Sequence, residues 1–132
     1  MNLRYRGSVF SENKWCILSV TMELQKGDKA AIKARMDELM QKRRDKQPLE
    51  FPSCGSTFKR PQNGFAAALI EECGLKGCTI GGAQVSEKHS GFVINKGGAT
   101  FEDVTALVEH IKEVVKAQKG IELECEMLII DK

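Results

Sequence analysis

The feature that most constrains the fold is a long amphipathic helix pattern followed directly by an alternating strand pattern. Apolar residues recur three and four positions apart between Thr100 and Gly120, namely Val104, Leu107, Val108, Ile111, Val114 and Val115. This spacing places them on one face of a helix, which Thr100 and Asp103 can cap and Gly120 can end. From Ile121 to Ile130, apolar residues alternate with glutamates, which predicts a strand with one core face and one polar face.

The rest of the sequence predicts further helices and strands in mixed order. We expect a strand over Trp15 to Leu24, a helix from Lys29 to about Asp45 capped by Asp28, a short helix over Phe65 to Cys73 with Gly74 at its C-terminal cap, turns and short strands over Gly77 to Ser90, and a strand over Phe92 to Asn95. This order predicts an α+β domain, with helices packed on a mostly antiparallel or mixed sheet.

Composition narrows the function classes. With 132 residues and 42% hydrophobic content, the chain can form one globular domain. A net charge of +2 gives no reason to expect nucleic acid as a partner, and no apolar run is long enough to predict a membrane span. The five cysteines are not spaced as CxxC, which favours reduced thiols in a cytoplasm. We expect no metal site, because the two histidines, His89 and His110, do not fall at zinc-ligand spacing.

Ser56 stands out as a candidate for chemistry because small residues surround it. It follows Gly55 in a proline-stiffened loop, where another molecule can approach its hydroxyl closely. On its own, such a serine is most often a turn residue bonded to nearby backbone. The sequence has no Gly-x-Ser-x-Gly motif, which makes Ser56 a poor candidate nucleophile and leaves proton donation as the alternative role.

Four ordered motifs resemble the C-terminal part of the UDP-N-acetylenolpyruvoylglucosamine reductase (MurB) family. They are Tyr5-Arg6-Gly7-Ser8, the segment from Pro52 to Pro61, the segment from Gly81 to His89, and the segment from Leu123 to Ile129. The resemblance implies a fold like the MurB C-terminal domain. It also implies an FAD- and NADPH-dependent reductase that converts UDP-N-acetylglucosamine enolpyruvate to UDP-N-acetylmuramate for peptidoglycan synthesis in the bacterial cytoplasm.

The resemblance also assigns roles to three catalytic residues. Ser56 would protonate the carbon that becomes carbanionic after hydride addition, and Arg6 would contact the enolpyruvyl carboxylate. An arginine suits that role because it stays charged and can hold a carboxylate through two parallel hydrogen bonds. Glu126 would stabilise or protonate the enolic intermediate, although the sequence alone does not distinguish it from Glu122 and Glu124.

Substrate binding is expected from a second group of residues. They are Tyr5, Lys59, Arg60, Lys88 and His89. Lys59 and Arg60 suit a diphosphate, but solvent-exposed basic loop residues are an equal alternative, and His89 is equally compatible with a structural role. The short path from the first long helix to Pro52 resembles the MurB subclass that lacks the tyrosine-bearing insertion.

The motifs predict a division of the chain. Residues 1–26 would be the end of the flavin-domain region and a connecting strand, and residues 27–132 the substrate-binding C-terminal domain. No glycine-rich pyrophosphate loop is present, so cofactor-binding residues stay unassigned and FAD is expected to bind a region missing from this chain. We expect the isolated chain to be colourless, inactive and prone to self-association. The alternative is a free-standing nucleotide-sugar or partner-binding α+β module without catalysis.

Overall fold

The computed structural model describes residues 1–4, 7–13, 15–62 and 64–130. Their backbone falls into two compact units, Met1–Arg35 and Met36–Lys132. The first unit contains the short helix α1 (Val9–Glu12), which the sequence analysis did not predict. Ser8 caps this helix, and its backbone N–H donates a hydrogen bond to the Ser11 hydroxyl oxygen at 3.2 Å. A single turn of four residues is too short to produce a periodic apolar pattern.

The predicted strand over Trp15 to Leu24 is wrong, because residues 15–28 contain no regular secondary structure. The apolar side chains of this segment are exposed, among them Ile17, Leu18 and Val20. A strand requires hydrogen bonds to a neighbouring strand, and β-branched composition only makes a segment suited to such pairing. The sequence therefore identified a segment with the right composition, but this segment does not pair.

The predicted helix after residue 28 is confirmed as α2 (Lys29–Lys46). Its first turn is capped as expected, since an Asp28 carboxylate oxygen accepts a hydrogen bond from the backbone N–H of Ala31 at 2.8 Å. None of its residues is buried. The apolar positions recur at helical spacing but are all exposed, namely Ile32, Met36, Leu39 and Met40.

The sheet is small and antiparallel, with strand order β1-β2-β3. Strand β1 (Thr79–Ile80) pairs with β2 (Ala83–Val85) through a tight turn, and β2 pairs with β3 (Val93–Asn95) in the register Gln84 to Ile94. Both residues of this turn, Gly81 and Gly82, are glycines, because there is no room for a side chain at either position. A Cβ at residue 81 would meet the Asp103 side chain, and one at residue 82 would meet the backbone of residues 97–99. A Cβ on Gly82 would lie 2.3 Å from the backbone nitrogen of Ala99.

One helix covers this sheet, and a second helix packs on that helix to complete the core. Helix α4 (Phe101–Lys119) packs on β1, β2 and α3 (Ala66–Glu72). Its predicted caps are confirmed, with a capping box between Thr100 and Asp103 and a left-handed Gly120 at φ 68°. The predicted apolar stripe is also confirmed, since Leu107, Val108, Ile111 and Val115 are buried. The architecture is therefore the expected α+β arrangement of helices on an antiparallel sheet.

The segment from Ile121 to Ile130 was expected to be a strand, but it forms one isolated bridge, Phe58 to Cys125. The predicted alternation of faces is nevertheless present. Leu123 is buried, and Ile121, Cys125 and Met127 pack partly buried against the core. The intervening glutamates are exposed. Side-chain period follows from extended backbone, whereas a continuous ladder needs a partner of matching length.

Candidate active site

The segment containing Ser56 lies along β3. The backbone N–H of Asn95 donates to the Pro52 carbonyl at 2.8 Å, and the backbone N–H of Thr57 donates to the Gly91 carbonyl at 2.9 Å. Between these two contacts the chain turns outward, and Ser56 is exposed. Its hydroxyl donates to the carbonyl oxygen of Phe58 at 3.2 Å. A hydroxyl hydrogen rotates freely, so Ser56 can redirect this proton to an external acceptor.

Glu126 lies on the segment next to Ser56. The backbone N–H of Glu126 donates to the Thr57 carbonyl at 2.9 Å, and the backbone N–H of Lys59 donates to the Glu124 carbonyl at 2.8 Å. These two bonds flank the bridge between Phe58 and Cys125. Two residues that are far apart in the sequence, Ser56 and Glu126, are thereby brought onto adjacent stretches of backbone.

The two basic residues after Ser56 have local partners. The Lys59 ammonium forms an ion pair with the Glu124 carboxylate. The Arg60 Nε donates to the Gly64 carbonyl at 3.3 Å, and the guanidinium carbon lies 4.2 Å from the centre of the Phe65 ring. These exposed contacts are weak enough for an incoming anion to replace them.

The loop after β2 is organised by one buried serine. The Ser86 hydroxyl oxygen accepts hydrogen bonds from the backbone N–H groups of Lys88 at 3.2 Å and His89 at 3.3 Å. The His89 Nδ1 in turn accepts from the backbone N–H of Gly91 at 3.1 Å, and the ring packs edge-on against Phe92, with 4.9 Å between centroids. His89 therefore shapes the turn that leads to the Gly91 carbonyl.

Lys88 bonds to the last turn of α2 and to the chain that follows it. Its ammonium donates to both carboxylate oxygens of Glu50, at 3.0 and 3.1 Å, and to the Arg44 carbonyl at 3.0 Å. A hydrogen bond from backbone N–H, together with the Lys88 ammonium, lowers the pKa of the Glu50 carboxyl. Three partners around one ammonium use the three donors that lysine has.

Two residues proposed for the site, Tyr5 and Arg6, lie outside the described residues. Other residues that organise the site could not be predicted from the sequence. Thr57 and Glu50 are the clearest cases, because both hold segments that carry candidate residues. Their only sequence signal is a polar residue within or beside a motif, which does not reveal a partner distant in sequence.

A charged groove of about 740 Å³ lies beside the C-terminal segment. Its lining residues are Glu109, Lys112, Glu113, Lys116, Glu122, Leu123, Glu124 and Cys125. Neither Ser56 nor Glu126 lines this groove. Ligand sites usually enclose most of the ligand surface, which the exposed loop around Ser56 does not do by itself.

Within the described ranges, no group of three or more His, Cys, Asp or Glu side chains is arranged to hold a metal ion. Among the helices of these ranges, none combines the length and apolar character needed to cross a membrane.

Comparison with known proteins gives one consistent family. The profile of "UDP-N-acetylenolpyruvoylglucosamine reductase, C-terminal domain" matches residues 47–130. The chain is 53% identical over 130 residues to the UDP-N-acetylenolpyruvoylglucosamine reductase of Clostridium novyi, covering 98% of this chain and 42% of that protein. It is 52% identical to the reductase of Caldanaerobacter subterraneus over the same length, covering 98% of this chain and 43% of that protein.

One solved structure agrees with these relatives. The MurB structure from Thermus caldophilus matches with a TM-score of 0.61 and 36% identity, covering 79% of this chain and 37% of that chain. The chain thus spans less than half the length of the relatives it matches.

Proposed function

The chain belongs to the UDP-N-acetylenolpyruvoylglucosamine reductase family, within its C-terminal domain, and on that premise we propose that it is the substrate-binding and proton-donating portion of such a reductase. The reaction reduces UDP-N-acetylglucosamine enolpyruvate to UDP-N-acetylmuramate in the bacterial cytoplasm. Residues 27–132 are the substrate-binding domain, and residues 1–26 end the flavin-domain region. The observation that carries the proposal is the hydrogen bond from Glu126 to Thr57, which puts Glu126 beside the Ser56 loop.

The chain's share of the reaction follows from the charge that develops on the substrate. A bound flavin would supply a hydride to the outer carbon of the enolpyruvyl group, and negative charge would then develop on the adjacent carbon and its carboxylate. Arg6 would hold that carboxylate with two hydrogen bonds, and Glu126 would stabilise the enolic form. The Ser56 hydroxyl then gives its proton to the adjacent carbon, and the resulting alkoxide is reprotonated from water.

The flavin that would supply the hydride does not fit the N-terminus of α4, where two glycines precede a long helix. Its pyrophosphate would need backbone N–H groups at a positive helix terminus. The glycines Gly97 and Gly98 precede α4, but the first turn of α4 carries Glu102 and Asp103. The Asp103 carboxylate already accepts from the backbone N–H groups of Thr100 at 3.0 Å and Gly82 at 3.1 Å. Since a second anion would be repelled there, we propose that FAD and NADPH bind the part of the enzyme outside this chain.

Substrate binding is proposed for the residues around the same loop. Lys59 and Arg60 would exchange their weak local contacts for the diphosphate, and Tyr5 would contact the enolpyruvyl end beside Arg6. His89 would contact the substrate from the turn that it orders through Gly91. Lys88 would contribute by holding the same loop in place through its bond to Glu50. Self-association of the isolated chain would follow from the exposed apolar residues of α2.

A chimeric reductase tests the proposal. The matching 130-residue region of the Clostridium novyi enzyme would be replaced by this chain, and the two half-reactions followed by stopped-flow absorbance of the flavin. We expect NADPH to reduce the flavin and the enolpyruvyl substrate to reoxidise it. Ser56→Ala should slow reoxidation by roughly 10²–10⁴ and leave flavin reduction unchanged, because a positioned proton donor is worth about that much.

Matched variants make the test specific. Ser53→Ala removes another exposed serine hydroxyl of the same loop and should leave both half-reactions intact. Glu126→Gln should slow reoxidation far more than Glu122→Gln or Glu124→Gln, and Arg6→Lys should be poorly tolerated because the two-pronged contact is lost. A chimera that binds the nucleotide sugar but never turns over would favour the module without catalysis. Equal losses at all three glutamates would remove Glu126 from its proposed role.

A further inference from the structure

We propose that Thr57 is the positioning residue that sets the distance between the proton donor and the glutamate, an inference that rests on the proposed function of Ser56 and Glu126. Thr57 is 2% exposed and hydrogen-bonds to two separate segments. Its backbone N–H donates to the Gly91 carbonyl at 2.9 Å, and its carbonyl accepts from the Glu126 backbone N–H at 2.9 Å. Its side-chain hydroxyl oxygen accepts from the backbone N–H of Val93 at 3.0 Å.

The side-chain bond is the one that a substitution can remove. Backbone bonds on both sides of Thr57 would persist with any residue at this position, but only a hydroxyl can accept from Val93. That N–H belongs to β3 and lies in a buried environment, where a lost acceptor is not replaced by water. The hydroxyl therefore fixes the lateral position of residue 57 against the sheet.

This position is transmitted to both reacting groups. Ser56 precedes Thr57 directly, and Phe58 after it is buried and accepts the Ser56 hydroxyl hydrogen bond. On the other side, the Thr57 carbonyl holds the backbone of Glu126. A shift of residue 57 would move Ser56 and Glu126 relative to a substrate held elsewhere. Misplacement of a reacting group by about 1 Å can cost roughly 10²-fold in rate.

The loop with His89 joins the same arrangement. His89 Nδ1 accepts from the Gly91 N–H, and the Gly91 carbonyl accepts from the Thr57 N–H. The serine, the histidine loop and the glutamate therefore meet at one buried threonine. If each of these three segments were held only by its own local turn, a substitution at Thr57 would not change the position of the other two.

The test uses the chimeric reductase described above, with Thr57→Val and Thr57→Ser. Valine keeps the shape but lacks the acceptor, whereas serine keeps the acceptor and loses a methyl group. We expect Thr57→Val to slow flavin reoxidation by roughly 10- to 100-fold with unchanged flavin reduction, and Thr57→Ser to stay within about threefold of wild type. The solvent deuterium isotope effect on reoxidation should rise in Thr57→Val, because proton transfer becomes more rate-limiting.

A core variant separates positioning from general stability. Val115→Ala removes two methyl groups from a fully buried side chain of α4 and should destabilise the domain without changing reoxidation or its isotope effect. Equal slowing by Val115→Ala and Thr57→Val would overturn the inference, as would wild-type kinetics in Thr57→Val. If Thr57→Val does not fold, Thr57→Cys, whose sulfur is a weak acceptor, should give an intermediate rate, and a wild-type rate would overturn the inference. A wild-type chimera without activity would instead contradict the proposed function, and not the role of Thr57.

Discussion

Gly82→Ala should be among the most costly single-methyl additions in this domain. The backbone of Gly82 is not in the left-handed region, so an alanine would meet no conformational strain. The obstacle is space, because a Cβ would lie 2.3 Å from the Ala99 nitrogen and 2.5 Å from the Gly97 carbonyl oxygen. Both atoms are backbone, so no side chain can turn aside, and one of the two segments must move.

The expected magnitude follows from overpacking. Additional methyl groups in a well-packed region cost about 1–3 kcal/mol, and we expect about 3 kcal/mol here because the obstacle is rigid backbone. The movement is restricted on both sides of the residue. The Gly82 N–H donates to Asp103 at 3.1 Å, and the Gly82 carbonyl accepts from the Lys96 N–H at 2.9 Å.

The matched control is Gly98→Ala, where the cost comes from the backbone conformation and not from lack of space. Gly98 has φ 67° and no atom within 4 Å of an added Cβ, so its substitution should cost only about 1 kcal/mol for the left-handed backbone. Urea unfolding followed by far-ultraviolet circular dichroism compares the two. With a slope of about 2 kcal/mol per M, the midpoint should fall by about 1.5 M for Gly82→Ala and about 0.5 M for Gly98→Ala. Equal midpoints for the two variants would refute the steric argument.

Three further predictions test the core, the helix cap and a thiol. Ile111→Ala should cost about 2–5 kcal/mol by urea unfolding, because Ile111 is fully buried; a cost as small as that of the exposed Glu113→Ala would contradict the assigned core. Asp103→Asn should lower the melting temperature at neutral pH, because the N–H groups of Thr100 and Gly82 lower the pKa of the Asp103 carboxyl. The contribution of the ionised Asp103 carboxylate to stability is present above the ordinary carboxyl pKa and is lost as the pH falls through the lowered pKa of the folded state. The difference in melting temperature between Asp103→Asn and wild type should therefore narrow in acid, and a difference that widens by calorimetry would contradict the prediction. Burial raises the pKa of the Cys125 thiol. At about pH 8, iodoacetamide should therefore modify Cys125 more slowly than the exposed Cys16 and Cys54. Equal modification rates measured by mass spectrometry would contradict the burial of Cys125.

The sequence by itself determined the elements whose signals are local. Helix α4 could be predicted with its caps and its buried face, because a 3.6-residue period and a capping box depend only on residues a few positions apart. The same holds for the cap of α2 at Asp28 and for the alternating faces after Gly120. The family could also be identified from ordered motifs, because a short motif retains its residues in order whether or not their partners are known.

Tertiary structure decided everything that depends on a partner distant in the sequence. The apolar segment from Trp15 to Leu24 has strand composition but forms no strand, since pairing needs a neighbour that composition does not supply. The apolar stripe of α2 stays exposed, because periodicity defines a face but not what covers it. Lys88 bonds Glu50, and Thr57 links β3 to Glu126, through hydrogen bonds between residues far apart along the chain. Such contacts are selected by packing of the whole domain, which no local pattern encodes.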